Sequence, residues 1–208
     1  MPMPEQPLPS GAVLCRNWLS RADQQALLLQ LSDILERAPL YVPRMPKTGR
    51  EMSVRMTNCG RLGWVTDREG GYRYQAHHPE TGRPWPEIPA VLLELWRQVG
   101  CYPAPPEACL VNYYGAQARM GSHRDADEAD KAAPVVSLSL GDDAVFHVGG
   151  TQRAGAKVRV TLHSGDVFVL AGPSRLAYHG IDRVLAGTSD LLPDGGRINL
   201  TLRRVTMP

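Results

Sequence analysis

The chain has 208 residues, with 23 basic and 21 acidic side chains and a net charge of +2. That balance excludes a polybasic protein that coats a phosphate backbone by charge alone. Its 20 glycines and 18 prolines make it turn-rich without reaching the roughly 25–30% of low-complexity disorder, and 43% hydrophobic residues are enough for one domain's core.

The start, MPMPEQPLPSGAV, predicts a loose, Pro-rich arm over residues 1–12 and lacks the basic and apolar regions of a secretion signal. Ser20 then precedes RADQQALLLQLSDILERA, where Leu27, Leu31, Ile34, Leu35 and Ala38 share one stripe. This predicts a helix capped by Ser20 and stopped by Pro39. Residues 50–75 contain two or three strand-like pieces around a Gly70-Gly71 turn, and 76–88 form a Pro-rich connection. A second helix is expected over Pro89–Val99. From residue 108 the period changes: ACLVNYY, PVVSLSL, AVFHV, KVRVTLH, DVFVLAG, the segment around AYHGIDRV and RINLTLRRV are short β-rich runs between turns. Many short strands at close spacing indicate a β sandwich or barrel, and no run approaches the ~18 apolar residues of a membrane span. Cys15, Cys59, Cys101 and Cys109 form no CxxC pair and read as reduced thiols in a cytoplasmic chain.

The chemistry starts at His123-Arg124-Asp125. On an extended segment residues i and i+2 face the same way, so His123 and Asp125 can offer a nitrogen and an oxygen to one metal. Alone, this pair fits a surface turn better. His179, in a later β segment, completes two histidines and one carboxylate, the ligand set of non-haem Fe(II) oxygenases, although zinc hydrolases use the same residue types. In RINLTLR, Arg197, Asn199, Thr201 and Arg203 share one strand face, with Ile198, Leu200 and Leu202 on the other. Two inward arginines need anions, and a dicarboxylate supplies two. Asn112 and Tyr114 repeat the i, i+2 logic. A solvent-facing polar edge strand explains the arginine segment equally well.

The blocks NYYGAQARMGSHRDADE, PVVSLSLG, GDVFVLAGPSRLAYHGIDRV and GGRINLTLRR, with EMSVRMTNCGRLGW, GYRY and RPWPEIP upstream, closely resemble the bacterial AlkB alkylation-repair dioxygenases over about residues 40–204. The resemblance implies a mainly β chain with flanking helices: a double-stranded β-helix (jelly-roll) core at 108–208, and N-terminal helices with a nucleotide-recognition lid at 1–107. It implies Fe(II) on His123, Asp125 and His179. It implies 2-oxoglutarate against Asn112, Tyr114, Arg197, Asn199 and Arg203, with Arg197 on the distal carboxylate and Arg203 on the iron-side one. The implied reaction is oxidative demethylation of 1-methyladenine and 3-methylcytosine in DNA, releasing succinate, CO₂ and formaldehyde. Trp64 matches the stacking aromatic and Asp127 the carboxylate that reads the cationic base. Met56, Tyr72 and Arg153 match further substrate contacts. The expected partner is alkylated DNA, as single strands or flipped bases, or RNA, met by a monomer with no membrane association.

Residues 41–75 hold seven basic side chains against three acidic ones, a local +4 suited to phosphates. In the resemblance Arg50, Arg124, Ala126 and His147 depart from the usual residues, and the Gly70-Gly71 turn is one residue longer. His77, His78 and His163 have no motif support and are expected at the surface. An oxygenase acting on RNA or protein, a metal-free nucleic-acid-binding jelly roll and a zinc hydrolase remain as other readings. Trp64 and Asp127 favour a base over a peptide. The intact triad and both arginines count against the metal-free jelly roll, and the paired inward arginines against the zinc hydrolase.

Overall fold

The computed structural model describes residues 7–208. It contains twelve strands in chain order: β1 (Ala12–Cys15), β2 (Arg55–Gly60), β3 (Gly63–Asp67), β4 (Gly71–Gln75), β5 (Ala108–Tyr114), β6 (Met120–His123), β7 (Val135–Gly141), β8 (Asp143–Gly149), β9 (Lys157–Leu162), β10 (Val167–Leu170), β11 (His179–Leu185) and β12 (Arg197–Arg203). Two helices, α1 (Arg21–Arg37) and α2 (Ala90–Leu95), complete it. The strands build a six-stranded sheet in the order β1-β10-β7-β12-β5-β2, a four-stranded sheet β6-β11-β8-β9 and the hairpin β3-β4. All pairings are antiparallel.

The large sheet has two different faces. One carries Val111, Val136, Leu138, Leu140, Ile198, Leu200 and Leu202, packed on Leu27, Leu31 and Ile34 of α1 and on Leu92, Leu95 and Trp96. Burying each such side chain contributes about 1.5–3 kcal/mol. The other face turns toward the small sheet, where Tyr114, Phe168 and Leu170 meet Phe146, Val160, Leu162 and Ile181. Two sheets facing across an interior make the jelly roll expected of the core.

Local chemistry sets the helix ends. Ser20 is extended, and its Oγ accepts the backbone N–H of Asp23 at 3.2 Å, capping α1 as its sequence predicts. The second helix is shorter than expected. It is α-helical only to Leu95, then widens into one π turn, Trp96–Gly100, which closes on Cys101 at φ 49°.

Three other expectations change. The Pro-rich arm is partly structured: residues 1–6 lie outside the described residues, Leu8 packs on the inter-sheet core, and Ala12 already begins β1. RINLTLR is no edge strand, because β12 sits between β7 and β5 and every one of its residues is buried. His78 is buried between Tyr41 and Trp85, with its Nε2 2.8 Å from the Pro39 carbonyl, while His77 and His163 are exposed as expected. No helix among the described residues is long and apolar enough to cross a membrane.

Candidate active site

β6 ends on His123 and β11 begins on His179, and the two residues are register partners. A bulge follows at once, with Gly121 and Ser122 of β6 opposite Gly180 alone. A Cβ on Gly180 would lie 2.4 Å from the Met120 carbonyl oxygen, so only glycine lets the two strands approach this closely. The imidazole rings stand 4.5 Å apart. His123 Nδ1 lies 3.0 Å from the Gly121 carbonyl, and His179 Nδ1 lies 2.9 Å from that of Ala177. A carbonyl partner demands N–H at Nδ1, so in the neutral ring the lone pair sits on Nε2. Those two nitrogens sit 3.7 and 3.8 Å from the carboxylate oxygens of Asp125, beyond hydrogen-bonding distance. Donor atoms from all three residues lie within 4.8 Å of one another.

The charges around this cluster are ordered. Burial pushes the Asp125 carboxyl up, but Arg203, whose Nη2 is 2.8 Å away, and the two histidines outweigh it and hold the group well below the usual carboxylate range. Burial and then His123 push His179 down to about 4, so its ring is neutral and ligand-competent near pH 7. Arg203 would lose affinity for its proton through burial, but Asp125, Tyr74 and Glu128 reverse that. The acidic run 125–130 is not a solvated loop: Asp125, Glu128 and Asp130 are all buried, and only Asp127 of its named carboxylates faces the cavity mouth.

The cluster opens into a cavity of about 600 Å³ between the sheets. Arg197 is 1% exposed yet faces no acid. It touches the Ser139 hydroxyl at 2.9 Å and the Tyr114 ring at 5.3 Å, while its Nε and Nη1 have no partner. Arg203 Nε, Asn112 Oδ1 and Asp125 Oδ2 are likewise buried without partners. Unsatisfied buried donors on a cation fit an anion, and a bare carboxylate oxygen beside two imidazole lone pairs fits a divalent metal ion. Asn199 lines the same cavity, but its own groups are already taken by Ser137, Leu138 and Thr201.

The hairpin β3-β4 closes one side. Asn58 on β2 grips the Trp64 backbone with two 3.0 Å bonds and so fixes the indole over the cavity. Trp64 stacks on Tyr72 at 5.5 Å and 20°, and its Nε1 donates to Asp127 Oδ2 at 2.7 Å. Met56 is buried below, and Arg153 stands on the rim. All thirteen residues singled out from the sequence thus border one cavity. Of the residues that depart from the resemblance, Arg124 lies over the Tyr178 ring at 5.7 Å and lines the cavity. His147 faces away from it, 2.7 Å from Asp182, and Arg50 does not reach it. Three of the seven basic residues of 41–75 are in ion pairs: Arg44 with Glu51, Arg61 with Glu107 and Arg73 with Asp67. Lys47, Arg50 and Arg68 are exposed and in no ion pair among the described residues.

Sequence reasoning passes over Tyr74, Glu128 and Arg175, which stand directly behind the cluster. The one signal for Glu128 and Arg175 is charge, an acid three residues after Asp125 and an arginine four before His179, and Tyr74 has none.

Residues 11–203 match the family model of the 2OG-Fe(II) oxygenase superfamily. The chain belongs to that superfamily, among the AlkB-type alpha-ketoglutarate-dependent dioxygenases. An alpha-ketoglutarate-dependent dioxygenase AlkB homolog of Caulobacter vibrioides is 54% identical over 181 residues, covering 87% of this chain and 81% of that protein. The alpha-ketoglutarate-dependent dioxygenase AlkB of Escherichia coli K12 is 42% identical over 204 residues, covering 96% and 93%. The solved structure of OsALKBH1 superposes with a TM-score of 0.77 at 30% identity, over 96% of this chain and all of that one. Enzymes of this family use Fe(II) and 2-oxoglutarate, also called alpha-ketoglutarate.

Proposed function

We propose that the protein oxidatively demethylates N-alkylated bases, chiefly 1-methyladenine and 3-methylcytosine, in DNA. The observation that carries this reading is the Trp64–Asp127 contact at the mouth of the cavity that holds the His-Asp-His cluster. A ring-methylated base is a flat cation, and an aromatic face joined to a carboxylate is what such a cation binds. In this reading His123, Asp125 and His179 hold Fe(II), and Asn112, Tyr114, Arg197, Asn199 and Arg203 receive 2-oxoglutarate. Together the bound iron and co-substrate supply the O₂-driven oxidation that releases the methyl group as formaldehyde, with succinate and CO₂.

The chain's own residues do the positioning. The two Nδ1–H bonds aim both imidazoles at one point. Arg197 takes the distal carboxylate with donors that have no other partner, and Arg203 takes the iron-side one. Asn199 stiffens the cavity floor through Ser137 and Thr201. Trp64 stacks on the incoming base, with Tyr72 behind it and Met56 beneath. Asp127 exchanges its indole bond for the exocyclic amine and offsets the positive charge, while Arg153 meets the nucleic-acid backbone. A base must leave its stack to reach the site, which favours single strands or weakened pairs. Residues 1–107 thereby act as helical support and lid for the catalytic core at 108–208. Four free cysteines suit a reducing cytoplasm, where the protein works as a monomer.

The test supplies purified protein with Fe(II), 2-oxoglutarate, ascorbate and a panel of methylated DNA and RNA oligonucleotides, single- and double-stranded, read by mass spectrometry. We expect one formaldehyde and one succinate per methyl lost, fastest on single-stranded DNA, and no turnover in His123→Ala. Retention of the methyl group on every DNA would falsify the reading, and loss confined to RNA would move it to RNA.

A further inference from the structure

Asp125 lies outside any strand, in a stretch of chain that runs from the end of β6 to the start of β7. No sheet ladder fixes it. What holds it comes from behind. Arg175 is 3% exposed and does not border the cavity. It follows the 3₁₀ turn Gly172–Ser174 and precedes His179 by four residues. Its guanidinium donates in three directions: Nη1 to the Asp125 carbonyl at 2.7 Å, Nε to the Ala133 carbonyl at 2.6 Å, and Nη2 to Glu128 Oε2 at 3.0 Å. One side chain therefore pins both ends of the Asp125 loop to the segment that delivers His179.

Glu128, 2% exposed, answers that charge and passes the restraint on. Its Oε1 accepts the Tyr74 hydroxyl at 2.5 Å and Arg203 Nη1 at 3.1 Å. Arg203 Nη2 in turn meets Asp125 Oδ1 at 2.8 Å. The backbone of Asp125 is thus held by Arg175 and its side chain by Arg203, with Glu128 tying the two arginines together. A metal site tolerates little error in its ligands, and residues that orient them are worth about 10–100-fold in metal affinity.

We propose that Arg175, with Glu128 as its counter-anion, is the positioning residue for the carboxylate ligand, setting the Asp125 loop before the metal ion arrives. The proposal rests on the reading of His123, Asp125 and His179 as the metal cluster. It differs from a purely structural ion pair in one respect: it predicts a change in the metal site of protein that is still folded.

The experiment titrates metal-free full-length protein with Co(II), followed by calorimetry and by the visible d–d band, alongside thermal unfolding of the same samples. Arg175→Gln is expected to raise the Co(II) dissociation constant about 10–100-fold and to alter the band. Arg175→Lys is expected not to rescue it, because one ammonium cannot hold three acceptors in the plane of a guanidinium. Glu128→Gln, nearly isosteric, is expected to shift affinity the same way by a smaller factor. Asp166→Asn is the control: it removes an equally buried acid that serves Arg16 and the backbone of Asn17 and His163, away from the Asp125 loop, so it should lower the melting temperature and leave Co(II) binding unchanged. Folded Arg175→Gln that binds Co(II) with wild-type affinity and band overturns the proposal. If the arginine variants do not fold, Glu128→Gln with wild-type binding overturns it equally. Failure of the wild type to bind Co(II) sinks the reading of the cluster itself, and the proposal with it.

Discussion

Asp125 and Asp127 are two positions apart and serve opposite purposes. Asp125 is enclosed by two histidines and Arg203, whereas Asp127 is exposed at the mouth and accepts one bond from an indole. Asp127→Asn keeps an oxygen for Trp64 but removes the charge. A hydrogen bond to a charged group contributes about 1.5–3 kcal/mol, so kcat/KM on a methylated, cationic base should fall by about 10–100-fold. Co(II) affinity should stay at the wild-type value. Single-turnover kinetics beside a metal titration check both halves, and equal losses in the two would refute the division of roles. At this scale the sequence is readable where one side chain meets another of matching chemistry, as at His123, Asp125 and His179. It is silent where the partner is a backbone carbonyl. Arg175 spends two of its three bonds on carbonyls, and His78 is buried by Tyr41, Trp85 and the Pro39 carbonyl, none of which its neighbours in the chain announce.

Among the elements, β6 and β11 decide whether the two imidazoles meet. Gly180→Ala places a Cβ against the Met120 carbonyl, which cannot rotate away as a side chain would. The strands must part, and overpacking of this kind costs about 1–3 kcal/mol. We expect a lower melting temperature together with weaker Co(II) binding, since His179 is the residue next to the bulge. Unchanged metal binding would show that the bulge does not set the ring spacing. β7, β8, β9 and β12 are legible in the sequence because their runs are long and β-rich. β6, MGSH, is not: glycine and serine have little strand preference, and the strand exists because β11 pairs with it. The central position of β12 is equally hidden, because a polar face turned to an internal cavity has the same alternation as one turned to water.

For the molecule as a whole, the resemblance of many separate blocks makes the jelly roll legible, while the pairing of β1 with β10 and of β2 with β5 ties the N-terminal half into the same large sheet. Helices cover one face of that sheet and chemistry occupies the other, and β12 belongs to both. A substitution scan that scores cellular abundance and enzymatic turnover separately should therefore divide this strand into two interleaved sets. Changes at Ile198, Leu200 and Leu202 remove packing against the helices and should deplete the protein, since truncations of this kind cost about 2–5 kcal/mol. Changes at Arg197 and Arg203 should leave more protein in the cell than the depleted set while abolishing turnover. Along seven consecutive codons the dominant phenotype alternates with each step, so a map of tolerated mutations would trace the pleat of the strand.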